Sequence, residues 1–343
     1  MIVLTTGVRT SDAPQIFRGM RGETAPHDEH SGRLLSILNG IESIYSPTRT
    51  TRDAQDSELV AIHDPGLIDF YREMAATPQG MRPTHPDSFP VRRGNPPHDL
   101  VGKFGYYCTG TQTPFTNAYW SDALRAAGCA LEGARQLLDG EELTYVACRP
   151  PGHHAGPDYF GGYCYLNNTA LAAEQLSQEG RTAILDVDYH HGNGTQDCFY
   201  ASGSVLTISI HADTRFAYPH FSGSSEETGT GHGSGCNVNL PLPLDASTEN
   251  WFGALDEGLE RISDWEPDFL VVAFGADTYR RDPVGGFSLD IDDYETLGRR
   301  ITSLGLPTLV LQEGGYAVDA LGSIVASLLT GLSGDTRIEE GRK

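Results

Sequence analysis

From about residue 144 the chain alternates short apolar runs with longer amphipathic stretches. The apolar runs are Thr144–Cys148, Thr182–Val187, Ser204–His211, Asp268–Gly275 and Pro307–Gln312. Several of them are rich in Val, Ile and Leu at both odd and even positions. Apolar residues at both parities are typical of strands that are buried on both faces. The alternation therefore predicts an α/β fold, in which a single open parallel sheet carries helices on both faces.

Amphipathic spacing predicts helices between and before these strands, at Leu34–Ile44, Leu67–Ala75, Asn117–Leu138, Leu166–Glu179, Thr248–Asp264, Asp290–Leu304 and Val318–Leu332. We expect a single domain over residues 1–332 and a flexible polar tail over 333–343. The proline- and glycine-rich stretch from about 77 to 110 does not look helical, and so long a loop in a compact domain is usually functional. Its aromatic residues favour docking against another surface; they are Phe89, Phe104, Tyr106 and Tyr107.

The composition excludes several classes of partner. Lys and Arg number 24 against 46 Asp and Glu, a net charge of −22. Nucleic acids and anionic membranes demand cationic protein, so neither is expected, whereas a cationic ligand fits; an ordinary acidic protein fits too. No window approaches the roughly 20 apolar residues of a membrane helix, and no leader pattern opens the chain. Six cysteines without a C-x-x-C pair predict reduced thiols in a cytoplasmic protein.

Four of the apolar runs end in clusters of polar, titratable residues. The clusters are Arg149–His154, Asp186–Gly192, Gly275–Asp277 and Gln312–Tyr316. In open parallel sheets the ligand crevice lies outside the carboxyl ends of the strands. We therefore expect the four clusters to converge on one crevice.

The second cluster predicts a metal site. Asp186, Asp188 and His190 would point the same way along a strand, and burying them together is costly unless a cation neutralises them. This mixed donor set suits Zn²⁺ or another first-row divalent ion. Asp277 is the obvious third protein ligand beside Asp188 and His190, although a lone Asp at a strand end is often a helix cap. Asp186 is either a fourth ligand or a carboxylate that orients a catalytic histidine, and we favour the second role.

Two further motifs predict acid–base and carbonyl chemistry. His153 and His154 follow a rigid Pro-Pro-Gly turn and could supply a general base and an acid or electrostatic partner, although a His-His pair is more often surface or capping chemistry. Tyr316 follows two glycines and could donate to a carbonyl oxygen as negative charge develops on it, although an ordinary half-buried Tyr is the alternative. Because G-x-S-x-G is absent, a metal-activated water is preferred to a covalent intermediate.

In order and spacing, these motifs resemble the zinc-dependent deacetylases of the arginase–deacetylase superfamily. The matching segments are Arg149–Ala155, Gly162–Asn168, Asp186–Thr195, Gly275–Asp277 and Glu313–Tyr316. Within that family the chain is most similar to the bacterial acetylpolyamine amidohydrolases, through Ser88–Arg93 and Gly105–Cys108. The arginase branch holds a second metal with two further carboxylates, and Gly192 and Tyr279 stand at those positions.

The resemblance implies a set of site residues. It implies Zn²⁺, with Fe²⁺ as the alternative, on Asp188, His190 and Asp277, and an acid–base pair of His153 and His154 beside Tyr316. It implies that Asp186 orients His153 and that Asn193 pairs with His154. The implied substrate-binding residues are Gly162, Tyr163, Gln112 and Tyr218. A structural K⁺ is implied on oxygen atoms of Asp186, Asp188, His190 and Ser209.

The resemblance also implies an activity and an assembly. It implies metal-dependent hydrolysis of small cationic acetylated amines, such as acetylputrescine and acetylcadaverine, by a homodimer whose 77–110 insertion narrows the site. The chain departs from the amidohydrolase pattern at Gln112 and Val101, which stand where those enzymes carry acidic residues, and this departure predicts a neutral rim there. A protein acetyl-lysine deacetylase is the alternative activity. An inactive module that only binds acetylated ligands is disfavoured, because both histidines and Tyr316 are present.

Overall fold

The structure is a computed structural model that describes residues 1–8, 16–18, 24–77, 84–90 and 94–334. The described strands are β1 (Ile2–Thr5), β2 (Ile16–Arg18), β3 (Thr24–Pro26), β4 (Thr48–Arg49), β5 (Leu143–Ala147), β6 (Thr182–Asp186), β7 (Val205–Ala212), β8 (Asn237–Leu242), β9 (Phe269–Phe274) and β10 (Thr308–Gln312). Among these, β2 and β3 form an antiparallel pair, and the other eight form one parallel sheet in the order β4–β1–β5–β10–β9–β6–β7–β8.

Helices cover both faces of this sheet. They are α1 (Ser31–Ile41), α2 (Asp56–Leu59), α3 (Pro65–Ala75), α4 (Leu100–Tyr107), α5 (Asn117–Leu138), α6 (Asn168–Ser177), α7 (Asn193–Phe199), α8 (Thr248–Trp265), α9 (Asp293–Thr302) and α10 (Val318–Ser333). Side chains of α1, α8, α9 and α10 pack on one face. Side chains of α5, α6 and α7 pack on the other. The predicted fold class, an open parallel sheet between two layers of helices, is confirmed.

Local sequence explains where the long helices begin. Thr116 accepts a hydrogen bond from the backbone N–H of Tyr119 at the start of α5, and Ser247 does the same for Asn250 at the start of α8. Such caps satisfy N–H groups that have no partner within the helix. Asp64 caps α3, and Pro65 follows it at the first helical position, where a missing N–H is harmless.

The four strands that precede the polar clusters are neighbours in the centre of the sheet, in the order β5–β10–β9–β6. Their registers align Val146 with Leu311, Gln312 with Phe274 and Asp186 with Ala273. The carboxyl ends of all four strands therefore lie side by side, as the crevice prediction requires.

The 77–110 insertion contains a helix, although its sequence predicts a loop. Residues 100–107 form the helix α4, capped by Asp99, although the stretch was predicted to be non-helical because glycines at 102 and 105 weaken a helical pattern. Phe104 and Tyr107 are buried within the same chain, where their rings pack near Phe70. Burial in an internal aromatic cluster, rather than docking on another molecule, thus accounts for these two aromatic residues.

Other differences lie in short or exposed segments. The strands β1, β4 and β8 were not predicted, because the first two are short and β8 contains Pro241 and two asparagines. Ser333, assigned to the polar tail, is the last residue of α10. The rest of the predicted tail from 335 onward, and 78–83 and 91–93 of the insertion, lie outside the described residues. None of the described helices combines the length and the hydropathy needed to cross a membrane.

The contact between α1 and α10 depends on glycine and predicts a stability change. A methyl group on Gly322 would overlap the backbone carbonyl oxygen of Ser36, which cannot move away as a flexible side chain could. We expect Gly322→Ala to lower the free energy of unfolding by about 1–3 kcal/mol, the usual effect of overpacking. Urea unfolding followed by circular dichroism measures the change.

Gly253 provides a matched control for this substitution. It lies in α8, and a methyl group added there would have no atom within 4 Å. Because Ala loses less backbone entropy than Gly in a helix, Gly253→Ala should raise the free energy of unfolding by about 0.5–1 kcal/mol. Equal stability of the two variants would contradict the packing argument.

Candidate active site

A cavity of about 300 Å³ opens at the carboxyl ends of β5, β6, β9 and β10. Its floor consists of polar side chains that are buried except for the partly exposed His190: His153, His154, Asp188, His190 and Tyr316. Its walls and mouth consist of uncharged side chains and backbone: Gln112, Gly162, Tyr163, Tyr189, Phe216, Ala217, Tyr218, Leu244 and Val284. The cavity therefore combines an apolar and aromatic lining with a titratable floor.

Three side chains at the floor form a group that could bind a metal ion. One ligand atom each from Asp188, His190 and Asp277 lies within 4.8 Å of the others. Nδ1 of His190 is 3.2 Å from Oδ1 of Asp188 and 3.0 Å from Oδ2 of Asp277. Both carboxylates are fully buried. One imidazole and two carboxylates around a common point are a donor set for a divalent cation.

Backbone hydrogen bonds hold both carboxylates in place. The N–H of Gly314 donates to Oδ2 of Asp188, and the N–H of Tyr189 donates to Oδ1 of Asp277. Each carboxylate thus has one oxygen bound to one of these N–H groups and its other oxygen near Nδ1 of His190. A side chain at position 314 would overlap both carboxylates, so only glycine permits this close approach.

The sequence predicts that Asp186, Asp188 and His190 point the same way because all three would lie on one strand. That reason is wrong. The strand β6 ends at Asp186, so Asp188 and His190 lie beyond the ladder. Oδ1 of Asp186 accepts the N–H of Asp188, and Oδ1 of Asp188 accepts the N–H of His190. These side-chain-to-backbone turns end the strand and gather the residues.

Asp186 is not one of the three residues of the possible metal-binding group, and its carboxylate contacts the imidazole of His153. Nδ1 of His153 donates to Oδ2 of Asp186 over 2.9 Å. Burial alone would lower the pKa of His153, but the charges of Asp188 and Asp186 raise it to about 10. In this environment His153 holds its proton on the side that faces Asp186.

A chain of hydrogen bonds sets the orientation of His154. Oη of Tyr159 donates to Asp197 over 2.6 Å, because a carboxylate can only accept. The phenol oxygen then accepts from Nδ2 of Asn193 over 3.1 Å, which directs Oδ1 of Asn193 at Nδ1 of His154, 2.7 Å away. His154 therefore carries its proton on Nδ1 and has a free lone pair on Nε2. Burial and the neighbouring His153 and His190 hold the pKa of His154 well below its ordinary value.

Tyr316 is positioned by residues that the motif analysis missed. The backbone N–H groups of Tyr316 and Ala317 both donate to Oδ2 of Asp282, over 2.6 and 2.9 Å. The guanidinium of Arg33 lies over the Tyr316 ring, 4.6 Å from its centre. Arg33 also donates to the carbonyl oxygens of Glu313 and Gly315, over 2.5 and 2.7 Å. Arg33 and Asp282 together fix the turn that carries the phenol.

A buried ion network anchors Arg33. Glu29 accepts from Arg33 over 3.2 Å and from Arg149 over 2.6 and 2.9 Å, and Arg149 also binds Asp122. Burial would raise the pKa of Glu29, but the charges of Arg149 and Arg33 outweigh it and lower the pKa to about 2. Arg149 begins one of the polar clusters of the sequence, but Glu29, Arg33 and Asp122 resemble an ordinary solvated charge pattern there, so nothing local marks these three as structural.

The predicted substrate-binding residues all line the cavity. The Tyr163 ring packs edge-on against Tyr316, with 5.5 Å between the ring centres, and the Tyr218 ring packs edge-on against His154 at 4.8 Å. A side chain on Gly162 would overlap the imidazole of His154. Gln112 lies on the wall. Val101 is exposed on α4 and is not among the residues described as lining the cavity.

A second group of ligand-type atoms lies behind the floor, on His153, Cys164 and Glu313. Oε2 of Glu313 accepts backbone N–H groups from Gly152 and His153, and Oε1 accepts the hydroxyl of Thr169. Both carboxylate oxygens are therefore already bound, which suits a structural support for the turn before His153. We assign no metal to this group.

Known proteins match both the sequence and the fold. The family model of the histone deacetylase domain matches residues 27–332. The chain belongs to the histone deacetylase family. The deacetylase resemblance of its motifs is thereby confirmed.

Individual relatives narrow the similarity within the family. The chain is 41% identical to an acetylpolyamine amidohydrolase of Mycoplana ramosa, over 91% of this chain and 94% of that protein. It is 43% identical to acetylpolyamine amidohydrolase 1 of Pseudomonas aeruginosa, over 92% and 94%. The crystal structure of an acetylpolyamine aminohydrolase from Burkholderia pseudomallei superposes with a TM-score of 0.92, at 32% identity, over 97% of this chain and 99% of that one.

The ion network predicts a pH-dependent loss of stability. Glu29→Gln removes the carboxylate that the buried guanidinium groups of Arg33 and Arg149 share, although Arg149 keeps Asp122, and we expect it to lower the free energy of unfolding by about 3 kcal/mol at pH 7. A carboxyl with a lowered pKa stabilises the fold above its unfolded-state pKa and loses that effect as the pH falls. The difference between wild type and Glu29→Gln should therefore narrow from about pH 4.5 toward pH 2.

Denaturant unfolding at neutral and acidic pH measures this difference. The exposed Glu260 on α8 offers a control that also removes one carboxylate, and Glu260→Gln should change stability by less than about 0.5 kcal/mol. A Glu29→Gln variant as stable as Glu260→Gln would contradict the role of the network.

Proposed function

We propose that this protein is a metal-dependent amidohydrolase that removes the acetyl group from N-acetylated diamines and polyamines, with acetylputrescine and acetylcadaverine as substrates. The observation that carries the proposal is one cavity in which a metal-ligand group, an oriented imidazole and a phenol meet, with aromatic side chains among its other lining residues. The names of its relatives in Mycoplana ramosa and Pseudomonas aeruginosa support the substrate class.

The described residues fit the metal that the family implies. Asp188, His190 and Asp277 would hold one divalent ion, Zn²⁺ in our proposal and Fe²⁺ as the alternative. When bound, such an ion supplies Lewis-acid polarisation of a carbonyl and lowers the pKa of water toward about 7. Gly192 and Tyr279 offer no carboxylate for a second ion.

The chain's own residues would carry out the remaining chemistry. Nε2 of His154 accepts a proton as water adds to the acetyl carbon. The Tyr316 hydroxyl donates a hydrogen bond to the acetyl oxygen as negative charge develops there. His153, bound to Asp186, keeps a positive group beside the reacting atoms. A histidine then returns a proton to the leaving nitrogen as the C–N bond breaks, which yields acetate and the free amine.

A structural potassium ion belongs to the same proposal. It would bind oxygen atoms of Asp186, Asp188, His190 and Ser209. In support, Asp186 pairs with Ser209 in the β6–β7 register, and a void of about 10 Å³ is lined by both residues. The Ser209 hydroxyl lies within hydrogen-bond distance of His191 and His211, which fixes its position.

We further propose a cytoplasmic homodimer formed through the insertion. All six cysteines are free, as is typical of a reducing compartment. Phe89 and Val101 of the insertion expose 44% and 57% of their surface, which a second copy would cover. Phe104 and Tyr107, by contrast, are already buried within one chain and add nothing to this argument.

A kinetic panel tests the substrate class. We expect acetylputrescine and acetylcadaverine to have higher kcat/KM than acetyl-lysine peptides, because a cavity of about 300 Å³ with a buried floor suits small substrates and the acidic chain attracts small cations. Raising the salt concentration should reduce this advantage. Faster turnover of acetyl-lysine peptides would instead support the alternative activity, a protein deacetylase. The match to the histone deacetylase family model is consistent with that alternative.

Tyr316→Phe tests the proposed reaction. Loss of an oxyanion donor should lower kcat about 10²- to 10³-fold, with little change in bound metal. Turnover and metal analysis of the same preparations, before and after chelation and back-titration, provide both measurements. Near-normal kcat in this variant, or full activity only with two catalytic ions per chain, would contradict the mechanism. Tyr45→Phe serves as the control, because the Tyr45 hydroxyl reaches the carbonyl oxygen of Leu329 in α10 and Tyr45 is not among the described residues that line the cavity.

A further inference from the structure

Among the described residues, the side chains that line the mouth of the cavity include no carboxylate. Asp188 is the only acidic residue among the described lining residues, and it is buried at the floor. An acetylated diamine carries an ammonium group at the end away from the acetyl group. With its acetyl group at the floor, that ammonium would lie toward the mouth, where Gln112 and Phe216 are uncharged.

Asp28 brings a carboxylate to this mouth from a different part of the chain. The hydroxyl of Tyr163 lies 3.4 Å from Oδ2 of Asp28, and Tyr163 is a wall residue of the cavity. Asp28 is partly exposed, so solvent and a ligand can reach it. Among the described residues no hydrogen-bond donor is bound to its Oδ1, and no Lys or Arg forms an ion pair with it.

The neighbours of Asp28 fix its backbone. The His27 ring is buried and bridges the backbone carbonyl oxygens of Glu29 and Gln112, at 2.8 and 3.0 Å. It also packs edge-on against Tyr163, with 5.0 Å between the ring centres. On the other side, Glu29 is held in the ion network with Arg33 and Arg149. Asp28 is therefore held beside the mouth by both adjacent residues.

The nearby cations do not neutralise Asp28. Arg33 and Arg149 direct their guanidinium groups at Glu29, at Asp122 and at backbone carbonyls. A carboxylate that is fixed, partly desolvated and without a cation of its own is a binding site for a ligand's cation. With Asp28 beside the mouth, a ligand's cation can meet a carboxylate there although positions 112 and 101 are not acidic.

We propose that Asp28 is a specificity-determining residue that binds the distal ammonium group of the acetylated diamine at the mouth of the cavity. This inference rests on the proposed function, because it assigns the second end of that substrate. It also explains how a chain with Gln112 and Val101 can select a cationic acetylamine. The hydroxyl of Tyr163 orients the carboxylate, and the free oxygen receives the ammonium.

Asp28→Asn tests the role of the charge alone. Asn keeps an acceptor for the Tyr163 hydroxyl and nearly the same shape. The readout is the ratio of kcat/KM for acetylputrescine to that for N-pentylacetamide, in which a methyl group replaces the ammonium. We expect Asp28→Asn to lower this ratio about three- to tenfold, mainly through KM for the cationic substrate, and to weaken its dependence on salt.

Two further variants complete the experiment. Asp28→Glu retains the carboxylate and should restore part of the ratio. Asp264→Asn removes the same charge from the end of α8, at the opposite edge of the sheet from the cavity, and should leave the ratio at the wild-type value. Melting temperature and metal content, measured for all variants, identify a change that comes from misfolding.

The outcomes separate the two proposals. If the wild-type enzyme hydrolyses both amides and Asp28→Asn retains the wild-type ratio, the assignment of Asp28 is wrong while the proposed function stands. The same conclusion follows if Asp264→Asn lowers the ratio as much as Asp28→Asn. If the wild-type enzyme hydrolyses neither amide, the proposed function fails, and the role of Asp28 in that reaction fails with it.

Discussion

Buried carboxylates at the end of the central strands are the constraint on which the rest of this structure depends. Asp186, Asp188 and Asp277 lie within a few residues of the ends of β6 and β9, and at most 2% of their surface is exposed. Burying an ionised carboxylate is very unfavourable unless hydrogen bonds and opposite charges compensate. Backbone N–H groups and imidazoles provide that environment, and glycines just after β9 and β10 leave room for the carboxylates.

A second buried set of charges performs a different task. Glu29, Arg33, Arg149 and Asp122 connect the segment before α1 to α5 and to the residues after β5 and β10. Through Arg33 this network determines where Tyr316 lies relative to the metal-ligand group. The same segment carries Asp28 to the mouth of the cavity. One anchored stretch of chain thus influences both the floor and the entrance.

The two adjacent histidines have different surroundings, although the sequence presents them as a pair. His153 faces the carboxylate of Asp186, whereas His154 faces the amide oxygen of Asn193. The orientation of that amide follows from Tyr159 and Asp197, because only one assignment of donors satisfies the chain. Neutral support for His154 and charged support for His153 allow neighbouring imidazoles to differ in protonation.

The amino-acid sequence by itself determined the α/β class, the convergence of four strand ends and the identities of the side chains on the cavity floor. Those features depend on local patterns, namely apolar runs of strand length and polar residues directly after them. The end of β6 at Asp186, the burial of Phe104 and Tyr107, and the network around Glu29 were decided only by the tertiary structure. Asp28 beside Tyr163 and Arg33 over Tyr316 join residues more than 130 positions apart. No local pattern encodes such contacts, because they form only when distant segments pack against the same edge of the sheet.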